Sequence, residues 1–159
     1  MGFLLSGQKK GNLVQNGGFE QGFASWLGVL DVTLSSPWCH EGLISAVMSH
    51  SAAMFQDVSV GPGRVYQLQL SVAATGEGEP PDLEIKVLWV GPCAELREAL
   101  ECGPVVIQGK TTGFWKTAVL YTTTCPPGTD TARICLRTCE REGECSKLLV
   151  DDVIFVERD

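Results

Sequence analysis

No apolar run in these 159 residues is long enough to cross a bilayer, so a membrane span is not expected. The N-terminus offers only Phe3-Leu4-Leu5, too short for the hydrophobic part of a secretory signal and with no basic residue before it. Met1-Gly2-Phe3-Leu4-Leu5-Ser6 fits the permissive myristoylation pattern, but no basic cluster reinforces it. Positive charge is scarce: 12 Lys and Arg stand against 19 Asp and Glu, a formal net charge of −7. Such a chain repels phosphate backbones, and the one basic pair, Lys9-Lys10, does not reverse that, so nucleic acid is not expected as a partner. Histidine occurs twice, at His40 and His50. A pair of Cys39 with His50 has no nucleophile elbow around it, and there is no P-loop or dinucleotide fingerprint. With 19 acids, pairing two into a glycosidase on paper carries no information. Catalysis is therefore not expected.

What is present is a globular composition, with 44% hydrophobic and 19% charged residues, enough for one domain with a sizeable core. The pattern is nearly all strand and turn. Val29 to Leu34, Leu43 to Met48 and Met54 to Val60 are short β-rich runs separated by Gly, Ser and Pro. Gly61-Pro62-Gly63 predicts a sharp corner, since Pro cannot extend a ladder and Gly accepts a positive φ. The run from Val65 to Val72 alternates, with Tyr66, Leu68, Leu70 and Val72 sharing one side. The run from Leu83 to Val90 alternates again, with Leu83, Ile85, Val87 and Trp89 inward. Further strands are expected at Val105 to Gln108, Trp115 to Thr123, Thr131 to Arg137 and Lys147 to Val156. Ala94 to Glu101 is the one helical stretch, with Leu96 and Leu100 stacked at i and i+4. Many short, evenly spaced strands predict an all-β sandwich, here with one short helical insert. Residues 1–11 read as an N-terminal extension and residues 12–159 as the sandwich domain.

Seven cysteines are many for this length and favour an oxidising, extracellular or surface location. Cys93 and Cys102 flank the expected helix, and Cys139 and Cys145 flank an expected hairpin loop. Either pair can reach disulfide distance locally. Cys125 with Cys135 is a third candidate, leaving Cys39 free, and sequence does not decide the connectivity. Cys135 and Cys139 have loose zinc spacing, but no second pair completes a four-ligand set.

Three motifs stand in order at domain spacing. They are Asn12-Leu-Val-Gln-Asn-Gly-Gly-Phe-Glu-Gln-Gly-Phe-Ala-Ser-Trp26, Val58-Ser-Val-Gly-Pro-Gly-Arg-Val-Tyr66 and Leu149-Val-Asp-Asp-Val-Ile-Phe155. Together they resemble the galactose-binding-like jelly rolls, both the carbohydrate-binding modules attached to xylanases and cellulases and the bacterial N-terminal domain that precedes collagen-like triplet repeats. The resemblance implies a jelly-roll β-sandwich in which Phe19, Trp26 and Trp115 are core. It also implies a structural calcium ion tying the first strand to the last. By position, Glu20, Glu41 and Asp151 would supply carboxylates, and Gly18 and Ile44 backbone carbonyls. Oxygen ligands of this kind suit calcium. Along the last strand Asp151 shares a face with Val153, and Asp152 is expected to face the other way.

Two functions follow from the resemblance. The first expectation is a display domain at a bacterial cell or spore surface, trimeric through a collagen-like stalk. No Gly-X-Y run occurs in these residues, so that chain would continue past Asp159. The alternative is a glycan-binding module that stacks sugars on exposed aromatics, with Trp38, Trp89 and Tyr121 as candidates. Trp89 alternates with Val87 and Ile85 and reads as core, and the Ser49-His50-Ser51 segment carries no cleft aromatic.

Overall fold

The computed structural model describes residues 11–36, 42–75, 78–108, 115–140 and 146–158. Nine strands occur there, all antiparallel where they pair: β1 (Leu27–Ser35), β2 (Ser45–Ser59), β3 (Val65–Ala74), β4 (Leu83–Val90), β5 (Leu96–Glu98), β6 (Val105–Ile107), β7 (Lys116–Tyr121), β8 (Thr131–Thr138) and β9 (Leu148–Arg158). The order is β5-β4-β8-β2-β9-β3-β7, with β1 added to β2 and β6 to β4. The sheet curls into two layers, a jelly-roll sandwich. The described residues include no helix long and apolar enough to cross a membrane.

Two of the expected strands, Leu43 to Met48 and Met54 to Val60, are one strand. β2 pairs with β9 through Ala46, Val47 and Met48, and with β8 from Ala53 to Ser59. Between these it passes from one layer to the other, and Ser51 takes a φ of 57° at the bend. Thr138 secures the crossing: its hydroxyl accepts from the Ala52 N–H and donates to the Ser49 carbonyl.

The alternation in β3 and β4 holds. Tyr66, Leu68, Leu70, Val72, Leu83, Ile85, Val87 and Trp89 are all buried in one core with Ile134 and Leu136 of β8. Phe19 stacks on Trp26 at 5.3 Å inside the same core. Trp115 departs from expectation. It packs half-buried against Val47, Ala73 and Leu149, a small cluster separate from the main core. Side chains alternate across a strand, so Leu149 faces the opposite side from the core residues Leu148 and Val150, and Trp115 follows it there.

The helical insert is not formed. Gly91 donates to the Glu95 carbonyl, Ala94 donates to Gly91, and the Glu95 carboxylate accepts from the Cys93 N–H. This turn reverses the chain, and β5 then pairs Leu96, Arg97 and Glu98 with Val90, Trp89 and Leu88. A helix below about 12 residues has little stability of its own. Covering the open edge of β4 satisfies more backbone groups. Leu96 is left 50% exposed while Leu100 is buried, so the i, i+4 pair is split.

The chain start is stitched to β9. Leu13 donates to the Phe155 carbonyl, and Val153 donates to the Gly17 carbonyl. The buried Asn12 side chain accepts from the Val14 and Phe155 N–H groups and donates to the Val153 carbonyl. Replacing Asn12 by Ala strands three buried backbone groups, so Asn12→Ala is expected to lower stability by roughly 3 kcal/mol. Urea unfolding checks this: the midpoint falls while the slope stays constant.

Candidate functional site

One junction and one sheet surface gather the polar side chains of interest. The junction is where the chain start, the start of β2 and the middle of β9 meet. β3 and β9 pair as Gln69↔Ile154 and then Ser71↔Asp151, so β9 carries an extra residue there. Asp152 takes a φ of 55° in this bulge. The bulge interrupts the alternation by which Asp151 and Asp152 were expected to face opposite ways, and both acids are buried. The Asp151 carboxylate accepts from the Asp152 N–H at 2.8 Å. Gly17 lies so close to Val153 that a Cβ would fall on its carbonyl oxygen.

Glu20 belongs to the same junction. Its Oε1 accepts from the Leu43 N–H, and Gly42, at φ 74°, lies against the carboxylate where a Cβ would clash. Its Oε2 is buried and, among the described residues, has no hydrogen-bond partner. Gly18 is buried beside it, and Ile44 is half-buried just ahead of the Ala46↔Val150 pair. The structure thus draws the segments holding Gly18, Glu20, Ile44 and Asp151 to one end of the sandwich. Glu41 lies outside the described residues. Among the described residues, no three His, Cys, Asp or Glu side chains form a metal cluster.

The broader surface is the solvent side of the layer built from β1, β2, β8, β4, β5 and β6. Sequence reading missed it, because its residues come together only through the non-consecutive order β2-β8-β4. Asp57 pairs with Arg133 and Glu84 with Arg137 across the strands, while Phe55 and Lys86 flank Cys135. Arg133 donates to both oxygens of Asp57, at 2.8 and 3.1 Å, and its guanidinium lies 4.6 Å over the Phe55 ring. The Phe55 ring also packs on Gly28. Arg137 donates to Glu84 at 2.9 Å, and Lys86 lies 3.9 Å from the same oxygen. Three Arg133 N–H groups remain beyond the two that Asp57 takes.

The aromatic candidates fare differently. Trp38 lies outside the described residues. Trp89 is only 2% exposed, with its Nε1 donating to the Thr123 hydroxyl and its ring meeting Tyr66 edge-on, so it offers no sugar platform. Tyr121 is 36% exposed on β7, with the Arg158 guanidinium 4.3 Å over its ring.

The five described cysteines are all free thiols, which corrects two expected pairings. β5 keeps the chain extended between Cys93 and Cys102 and carries them apart. Cys125 is in the core, whereas Cys135 is on the solvent side of β8 between Phe55 and Lys86. Cys139 is free as well, and Cys145 lies outside the described residues.

No protein-family profile matches the chain, and no curated protein matches it by sequence. Solved structures do. A family 16 carbohydrate-binding module-2 superposes at TM-score 0.66 and 21% identity, covering 91% of this chain and 99% of that one. TmCBM61 in complex with β-1,4-galactotriose gives TM-score 0.63 and 20% identity over 92% and 99%. The enzymatically active domain of tailspike protein 4 of bacteriophage CBA120 gives TM-score 0.68 and 16% identity over 93% of this chain, which spans 22% of that one. A cyclase from Fischerella sp. TAU shares the architecture at TM-score 0.65 and 13% identity over 91% and 96%. The fold is thus the jelly-roll sandwich of carbohydrate-binding modules, and it also occurs in enzymes.

Burial pushes the Cys125 thiol above its ordinary value. It does the same to Cys135, where Arg133 and Lys86 oppose the shift and Asp57 and Glu98 add to it. Between the ordinary and raised values the unfolded chain has lost a proton that the folded chain keeps. Stability therefore falls as pH rises through that window, and is intact below it. Unfolding free energies measured from neutral to about pH 10 are expected to decline, less steeply in Cys125→Ala.

Proposed function

We propose that the chain is a non-catalytic carbohydrate-binding module that reads a polysaccharide across the solvent side of the β2-β8-β4 layer. One observation carries this: Arg133, held on one side by Asp57 and on another by Phe55, presents its remaining donors on the same layer face as the Arg137–Glu84 pair, four residues further along β8. Exposed ion pairs contribute only about 0–1 kcal/mol to stability, so a row of them across three strands does little for the fold. It does fix donors and acceptors in advance, which lowers the cost of binding a hydroxyl-rich ligand. The likeness to carbohydrate-binding modules over nearly their whole length, one of them holding a galactotriose, supports the same reading.

Affinity electrophoresis in gels containing β-1,4-galactan or xylan tests it. Retardation is expected, and Arg133→Met should weaken it roughly tenfold, about 1.4 kcal/mol. The melting temperature should barely move. Migration unaffected by every polysaccharide tried would reject the reading.

A structural calcium ion belongs to this proposal. The buried Glu20 Oε2 without a partner is what a cation would satisfy. Glu20 and Asp151, with the carbonyls of Gly18 and Ile44, would offer the ion oxygen donors alone, as calcium prefers. Its role would be to hold the chain start against β9. Calcium is expected to raise the melting temperature, chelator to lower it, and Glu20→Gln to remove the difference. Equal melting with and without calcium would exclude the ion.

The reading favours an extracellular setting, as substrates of this class are found there, although the free thiols no longer argue for it. Nothing in the fold or its likenesses supports a collagen-like stalk or a trimer.

A further inference from the structure

At one end of the sandwich a cavity of about 500 Å³ opens above Tyr66, bounded by Leu13, Ser59, Val60, Gly61, Val156 and Glu157. Its volume lies within the roughly 300–1,000 Å³ of small-molecule sites. Arg133 does not line it, but Ser59 on its rim is only two residues along β2 from Asp57, the partner of Arg133, so the cavity opens where the sheet face ends.

The polar groups in it are specific. Tyr66 is only 2% exposed, and its hydroxyl accepts from the Gly61 N–H at 2.7 Å. Among the described residues the hydroxyl's own proton has no acceptor. A buried hydroxyl has one donor to place, and leaving it unplaced is costly. Glu157 is the β9 partner of Tyr66 in register, so its carboxylate rises from the same side, and Arg64 reaches it at 3.2 Å. An acceptor is therefore wanted at Tyr66, while an acceptor and a cationic donor stand at Glu157 and Arg64. Leu13, Val60 and Val156 line the rest with carbon.

We infer that this cavity, at the end of the sheet face, is a second carbohydrate site, which takes the terminal ring of a saccharide. One ligand hydroxyl oxygen accepts from Tyr66, and a neighbouring hydroxyl donates to Glu157. The ring's C–H surface lies on the valines and Leu13. This rests on the glycan-binding reading for the ligand class alone. The geometry itself asks for a small polyol with adjacent donor and acceptor oxygens. An amine is disfavoured, because Arg64 already neutralises Glu157.

Gly61 supplies the test. Its φ is not in the left-handed region, and a Cβ there would lie 3.6 Å from the Arg64 stem and 3.9 Å from the Tyr66 hydroxyl, ordinary contact distances. Gly61→Leu therefore places a side chain toward the Tyr66 hydroxyl without backbone strain. Saturation-transfer NMR would use galactose, xylose, arabinose and glucose with the wild type, Gly61→Leu, Tyr66→Phe and Arg133→Met. At least one monosaccharide is expected to receive saturation from the wild type and from Arg133→Met. The signal should fall at least fivefold in Gly61→Leu and in Tyr66→Phe, with thermal melts confirming that both are folded. Should Tyr66→Phe fail to fold, Gly61→Leu decides alone. No transfer to any of the four sugars, or transfer undiminished in Gly61→Leu, overturns the inference. Polysaccharide retardation without monosaccharide transfer would sink this site and leave the sheet face standing. Monosaccharide transfer without retardation would do the reverse.

Discussion

Everything else in the molecule depends on the first residues of the domain being paired to the last strand. Asn12 acts as a strand residue with its side chain, bridging Val14, Val153 and Phe155. Gly17 has no room for a Cβ because Val153 presses on it. This contact closes the layer containing β9 and sets the bulge at Asp152. The bulge holds two buried acids near the point where β2 enters the layer. The bulge thus follows from chain closure, not from a separate device.

How much of this was legible in the sequence depended on whether a strand has one buried face. β3, β4 and β8 do, and there a two-residue period identifies the inward residues without knowledge of their neighbours. β2 changes layers, and its polar Ser49-His50-Ser51 stretch looks like a loop although the backbone stays extended on either side. The polar triplet between two apolar runs is the signal for such a crossing, but it has the same composition as a turn. At Ala94 to Glu101 the residues are good helix formers, and local propensity lost to the unfilled edge of β4. The Cys93–Cys102 pairing failed with the helix, because it was inferred from short sequence distance, while Cys125 and Cys135 are parted by facing core and solvent.

The candidate sites were less legible than the fold. Glu20, Gly18, Ile44 and Asp151 could be named from sequence because a motif resemblance carries positions one by one. The sheet face was not, since Asp57, Glu84, Arg133 and Arg137 are ordinary outward-facing charges until the order β2-β8-β4 sets them side by side. Aromatic content misled in the opposite direction. Trp89 is large and sits in a strand, yet its alternation with Ile85 and Val87 already placed it inward, and period outweighs residue type.

A sheet face and an end cavity impose different demands on a ligand. The face is open along the strands, so each hydrogen bond there competes with water, and useful affinity comes from several donors held in place at once. The Asp57–Arg133–Phe55 arrangement removes much of the rotamer entropy that an exposed arginine would otherwise lose on binding. The cavity works the other way. Tyr66 is immobile in the core, stacked on Phe155 at 5.1 Å, and its single unspent donor is already desolvated. One well-placed acceptor there gains more than one on the face, but the walls limit the ligand to a chain end. A module with both would bind a polysaccharide internally through the face and at its tip through the cavity. The two contributions would multiply only where one chain can span both surfaces.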